Sequence, residues 1–123
     1  MAGSSVLFTE SRTGSVKKIK AVWVSDDTLG TASGTTEFVY DGKVELLTTV
    51  PAAAGAAPTD NYDVTLTDAD GVDVLGGGGA DRDTANTEQK VSANLGVVAA
   101  SKLTLNIANA GNSRGGTVYV YIR

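Results

Sequence analysis

The chain has 123 residues with 41% hydrophobic and 20% charged, the range of one globular domain rather than a disordered segment. It contains neither cysteine nor histidine, which excludes disulfides, thiol nucleophiles, thiolate zinc sites and imidazole general bases. The net charge of -4 disfavours a nucleic-acid partner.

The first 14 residues are rich in Gly, Ser and Thr and read as a flexible N-terminal arm, with residues 15–123 as the domain. Their apolar run, Val6 to Phe8, is far short of the roughly 7–15 residues of a signal peptide or the ~20 of a membrane span. Synthesis in a cytoplasm without a visible export signal is therefore expected, and no membrane partner.

Valine and threonine match glycine at 15 copies each, and sustained helical spacing is absent. Period-2 alternation recurs instead, the mark of strands with one buried face. Val16 to Ser25 is the first strong strand, and its end at Val22-Trp23-Val24 reads as covered on both faces. Residues 26–34 form a polar connection. Thr36–Tyr40 and Lys43–Val50 flank Asp41-Gly42, a strong hairpin signal because a type I′ turn needs positive φ twice. Pro51 to Pro58 is a small-residue linker. Asn61–Asp68 and Val72–Leu75 flank a second tight turn at Ala69-Asp70-Gly71.

Gly76 to Gly79 is too glycine-rich for a rigid strand, and Asp81 to Gln89 reads as a loop or a single helical turn. Lys90–Ala93, Lys102–Ala108 and Thr117–Arg123 complete the strands, with Asn109–Gly116 as the turn joining the last pair. The expected fold is all-β: a single β-sandwich or jelly-roll-like domain of about eight mostly antiparallel strands. Its predicted core is Trp23, Val39, Leu46, Val64, Leu66, Leu103, Leu105, Ile107, Val118 and Val120.

Charge is uneven. Residues 1–24 carry a net +3 from Arg12, Lys17, Lys18 and Lys20 against Glu10. Residues 60–88 carry a net -7. Solvated loops explain such segments, and so do docking surfaces for partners or neighbouring copies. Arg12, Lys17, Lys18 and Lys20 are accordingly the candidate attachment cations. Tyr119 and Tyr121 alternate with Val118, Val120 and Ile122, which puts two tyrosines on one outer face and makes them further interface candidates.

Motifs for chemistry are weak. Gly76-Gly77-Gly78-Gly79-Ala80-Asp81 opens like a calcium-binding nonapeptide, but Asp83 stands where a large apolar residue is needed and a single copy cannot complete a site. In Asp68-Ala69-Asp70-Gly71-Val72-Asp73 the glycine comes too early for an EF-hand. Strand-end aspartates among Asp60, Asp63, Asp70 and Asp73 could still converge on a cation. No spacing selects a carboxylate pair for acid–base work, and no Lys-Ser/Thr follows the glycines as in a phosphate loop. No enzyme activity and no cofactor are expected.

The stretch Pro58-Thr59-Asp60-Asn61-Tyr62-Asp63-Val64-Thr65-Leu66-Thr67-Asp68-Ala69-Asp70-Gly71-Val72-Asp73-Val74-Leu75-Gly76-Gly77 resembles small structural proteins of tailed bacteriophage virions. Arg82-Asp83-Thr84-Ala85-Asn86-Thr87-Glu88-Gln89 and the ending Leu103 to Arg123 carry the likeness further. Within that group the chain is most similar to capsid decoration, or cement, proteins. The resemblance implies a β-rich domain on the phage head surface that binds the major capsid protein and neighbouring copies of itself. It implies a homo-oligomer, most often a trimer, with dimeric and monomeric kinds also occurring. Tail and head–tail joining proteins share the composition, and a carbohydrate- or calcium-dependent module on the virion is a further alternative.

Overall fold

A computed structural model describes residues 4–91, 93 and 95–123, the side chain of Thr13 aside. Among the described residues, nine strands run in chain order: β1 (Ser5–Thr13), β2 (Val16–Val24), β3 (Ala32–Thr35), β4 (Tyr40–Pro51), β5 (Asp63–Thr67), β6 (Glu88–Val91), β7 (Val97–Ser101), β8 (Thr104–Ala108) and β9 (Gly115–Ile122). They form two antiparallel sheets. The larger has the order β1-β2-β9-β4-β6, with β7 also paired to β4, and the smaller has the order β3-β8-β5. The fold is all-β and sandwich-like, as the alternation predicts.

The core lies between the sheets. Ile19, Ala21 and Trp23 from β2, Val118, Val120 and Ile122 from β9, and Val44 and Leu47 from β4 point inward from the large sheet. Val64 and Leu66 from β5, with Leu105 and Ile107 from β8, meet them from the small one. Trp23 packs against Tyr62 at 5.6 Å between ring centroids. The indole also fills the space left by Gly116, where a Cβ would lie 2.9 Å from its Cζ2. Among the described residues, the buried Trp23 Nε1 has no hydrogen-bond partner, and burial, opposed by the neighbouring Thr49 hydroxyl, pushes the Tyr62 hydroxyl pKa up.

Several expectations need correction. The segment read as an arm is not separate: residues 5–13 are β1, paired with β2 along its whole length, while residues 1–3 lie outside the described residues. Val6 and Phe8 pack on the core, and Phe8 closes over β3 where Gly34 leaves room. The hairpin turn is Gly14-Ser15, whose glycine has φ +63°. Asp41-Gly42 is no turn. It lies inside β4 at an irregularity in the β7 pairing. Gly42 has φ +122°, and a Cβ there would overlap the carbonyl oxygen of Arg123. The glycine is required for close approach of β9's end rather than for a reversal of the chain.

A second bulge between Val44 and Leu46 changes the phase of β4. Leu47 is therefore buried and Leu46 only half-buried, against the predicted core. Val39 is 49% exposed because the chain is not yet extended there. The other eight predicted core residues are buried. Val72–Leu75 is not a strand. Thr67 and Asp73 form one isolated bridge, and Val74 and Leu75 are buried in turns. The predicted turn before it does form, with Gly71 N donating to Asp68 O at 3.0 Å.

Asn109–Gly116 crosses from the small sheet to the large one instead of closing a hairpin. β3 begins inside the expected connection 26–34 and ends one residue past it at Thr35, and β7 lies where the alternation predicts no strand. β6 ends at Val91, and Ser92 of the predicted strand lies outside the described residues. Val22 and Val24 are about two-fifths exposed, so that end of β2 is covered on one face only.

Candidate interaction face

The two outer faces of the sandwich differ in chemistry. That of the small sheet presents Ser33, Thr35, Asp63, Thr65, Thr67, Thr104 and Asn106. These groups bond locally: Ser33 Oγ donates to Asn106 Oδ1 at 3.1 Å, and the hydroxyls of Thr35 and Thr104 lie 2.9 Å apart. That of the large sheet carries aromatic, cationic and aliphatic groups together. Strand register sets one row as Thr9, Lys20, Tyr119, Thr48 and Gln89, and the next as Ser11, Lys18, Tyr121, Leu46 and Val91. Leu7 and Val22 continue the face toward the far end.

The tyrosines sit at the centre because β9 is the middle strand of the β1-β2-β9-β4-β6 path. Buried Val118, Val120 and Ile122 fix which way they point. Lys18 Nζ lies 5.4 Å from the Tyr119 ring centroid and 5.8 Å from that of Tyr121, and Lys20 Nζ lies 6.0 Å from Tyr119. Such cation–π contacts at a surface are worth about 0.5–1 kcal/mol each and hold the ammonium groups against the rings. The result is a half-buried aromatic strip with positive charge on one flank and Leu46 and Val91 on the other.

Four of the six candidates thus share one face: Lys18, Lys20, Tyr119 and Tyr121. Arg12 and Lys17 do not. Arg12 stacks over Phe38 at 4.3 Å from the ring centroid. Lys17 Nζ donates to the Asp41 carbonyl at 2.6 Å and pairs with the Asp41 carboxylate at 3.5 Å. Glu10 completes this clamp on residues 37–41, accepting from Glu37 N, Phe38 N and the Tyr40 hydroxyl at 2.7 Å. Burial, followed by the Glu10 bond, raises the Tyr40 pKa far above that of an ordinary phenol. Half of the basic cluster therefore ties the first hairpin to the body.

Sequence reading missed Leu7, Leu46, Val91 and Val22 as members of the face. Leu7 was hidden by the arm assignment, and Leu46 by the bulge. Near Val22 the face dips into a cleft of about 270 Å³, lined among others by Val24, Val50, Pro51, Ala56 and Arg114.

The acidic segment has a different use. Asp68 Oδ1 accepts from Asp70 N and Val72 N, both at 3.0 Å. Asp73 accepts from Leu66 N, Leu75 N and Gly77 N. Asp63 accepts from Asp81 N and Asn109 Nδ2, Asp60 from Thr84 N, and Glu88 from Asp83 N. Glu88 also pairs with the buried Arg82 at 3.3 Å. Asp83 caps Ala85 N and Asn86 N, and these bonds lower its pKa. The carboxylates organise a loop that lacks a regular ladder. Among the described residues, no three acidic side chains converge as a metal site.

No protein-family model matches the chain, no curated protein matches it, and no solved structure matches it.

Proposed function

We propose that the protein is a structural component of a bacteriophage virion, a capsid decoration protein that works by docking rather than by catalysis. The observation that supports this most is the outer face of the large sheet, where Tyr119 and Tyr121 form a strip flanked by Lys18 and Lys20. Tyrosine gives contact area at low entropic cost, and lysine fixes register against acidic groups of a shell. The body behind the strip is braced, because β9 pairs with β2 on one side and β4 on the other and a side-chain clamp ties β1 to the segment before β4. The resemblance of residues 58–77 to small virion proteins supports the same reading.

In this role many copies bridge neighbouring capsid subunits and stabilise the assembled shell by mass action. The test is to add the purified protein to emptied phage shells that lack it. The expected result is saturable binding, many copies per shell, and a higher temperature of shell disruption. Enrichment at a single vertex or on tails points instead to a joining or tail protein. No binding to any part of the particle refutes the proposal.

A further inference from the structure

The large sheet ends in two unlike edges. On the β4 side the edge is divided between β6 and β7, of four and five residues, and short edge strands are a recognised protection against pairing. In the small sheet, β3 has only four residues. The edge of β5 is covered by the loop beside it: Val64 N donates to Gly79 O at 2.8 Å, Val74 N to Leu66 O at 2.8 Å, and Arg82 N to Tyr62 O at 2.7 Å. Among the described residues, β1 has none of these protections. It runs nine residues in unbroken register with β2 and contains no proline and no lysine. Its two charged side chains, Glu10 and Arg12, are turned to the residue 37–40 segment and engaged there.

The two-residue turn Gly14-Ser15 makes Thr13 and Val16 a hydrogen-bonded pair. Ser5, Leu7, Thr9 and Ser11 then bond to β2, and the main-chain groups of Val6, Phe8, Glu10 and Arg12 point away from the sheet. Among the described residues, none of those four makes a main-chain hydrogen bond outside the ladder. Beside this row of donors and acceptors lies Leu7, 70% exposed, next to the partly exposed Val22 and Val24.

We propose that β1 pairs antiparallel with β1 of a second copy, about a two-fold axis at Leu7. An extended backbone is the occupant that satisfies a row of alternating N–H and C=O groups, and a two-fold axis makes the strand its own complement. β1 carries one Glu and one Arg, so two copies bring no net repulsion. The register centred on Leu7 places Val6 opposite Phe8 of the second copy as a hydrogen-bonded pair. It also joins the two Leu7-Val22-Val24 patches into one covered strip. The outer faces of two large sheets become continuous, which doubles the docking surface. The inference rests on the edge alone and stands whether or not the partner is a phage shell.

The absence of native cysteine makes the test direct. Leu7 opposite Leu7 is a non-hydrogen-bonded pair with a Cα separation of about 4.5 Å, within disulfide reach. Leu7→Cys is expected to form a disulfide dimer on mild oxidation on the order of tenfold faster than Val91→Cys on the other edge. Unmodified protein is expected to sediment as a dimer, and Leu7→Lys as a folded monomer, since the side chain is exposed. A monomeric unmodified protein, a dimeric Leu7→Lys, or a Leu7→Cys that cross-links no faster than Val91→Cys each overturns the proposal.

Discussion

Replacing Gly42 by alanine tests the most specific feature of the fold. At φ +122° an L-residue carries strain of about 1–3 kcal/mol. The added Cβ would also overlap Arg123 O and lie 2.8 Å from its carbonyl carbon, so the end of β9 must retreat. That end is held by two main-chain bonds, Lys43 N to Arg123 O at 3.0 Å and Arg123 N to Lys43 O at 2.9 Å. Overpacking against backbone adds about another 1–3 kcal/mol, for a total of about 2–6 kcal/mol. Gly14→Ala is the control. Its φ of +63° is also left-handed, but among the described residues no non-neighbouring atom lies within 4 Å of an added Cβ, so its cost stays near the ~1 kcal/mol of the conformation alone. Urea unfolding of both variants, read as midpoint shifts at constant slope, measures the difference. If Gly42→Ala loses no more than Gly14→Ala, the bulge and its contact with β9 are wrong.

Leu105→Ala, at a fully buried position, is expected to cost about 2–5 kcal/mol in the same assay, whereas Leu46→Ala on the outer face stays below about 1 kcal/mol. Deleting residues 1–14 strips Val6 and Phe8 from the core and lowers the thermal midpoint, where a detached arm would leave it unchanged. Tyr62→Phe removes a buried hydroxyl whose polar neighbour is Thr49, so the change in stability is expected to stay within about 1 kcal/mol. Tyr40 and Tyr62 both have raised pKa values in the fold, so the neutral phenols favour the native state. Their contribution is complete below the ordinary tyrosine value and is lost as pH rises above about 10, which a pH series of unfolding midpoints reads directly. Asp26 acts at the other end. Its pKa is lowered chiefly by the Leu29 N–H, so its contribution is present above the ordinary carboxylate range and lost in acid, and Asp26→Ala should flatten that acid limb.

Alternation alone located β5, β8 and β9 and placed their buried faces correctly, because each is a regular strand with one apolar side, whereas β2 was located but its Val22–Val24 end is covered on one face rather than two. It failed where tertiary contacts decide. Asp41-Gly42 has the local chemistry of a turn, and only the close approach of Arg123 reveals a bulge. Leu46 and Leu47 are adjacent leucines, and a bulge chose between them. β1 has three apolar residues in nine and β3 has Ala32 alone, so their strand character comes from pairing more than from an apolar pattern. The candidate face was half legible. Period 2 put Tyr119 and Tyr121 together, but separating Lys18 and Lys20 from Lys17 and Arg12 required knowing which face of β2 is buried and what Arg12 stacks on.

The docking face is tested most directly by occupancy on emptied phage shells at moderate salt. Tyr119→Ser with Tyr121→Ser is expected to lower affinity by about tenfold or more, the effect of losing ~1.4 kcal/mol at the centre of an interface. Arg12→Ser with Lys17→Ser removes as many side chains from the clamp on residues 37–41 and should leave the affinity of the folded protein within about twofold. Equal occupancy for the tyrosine variant and the unmodified protein, with loss confined to the Arg12 and Lys17 variant, would place the contact on the opposite side of β2 and contradict the assignment of the outer face.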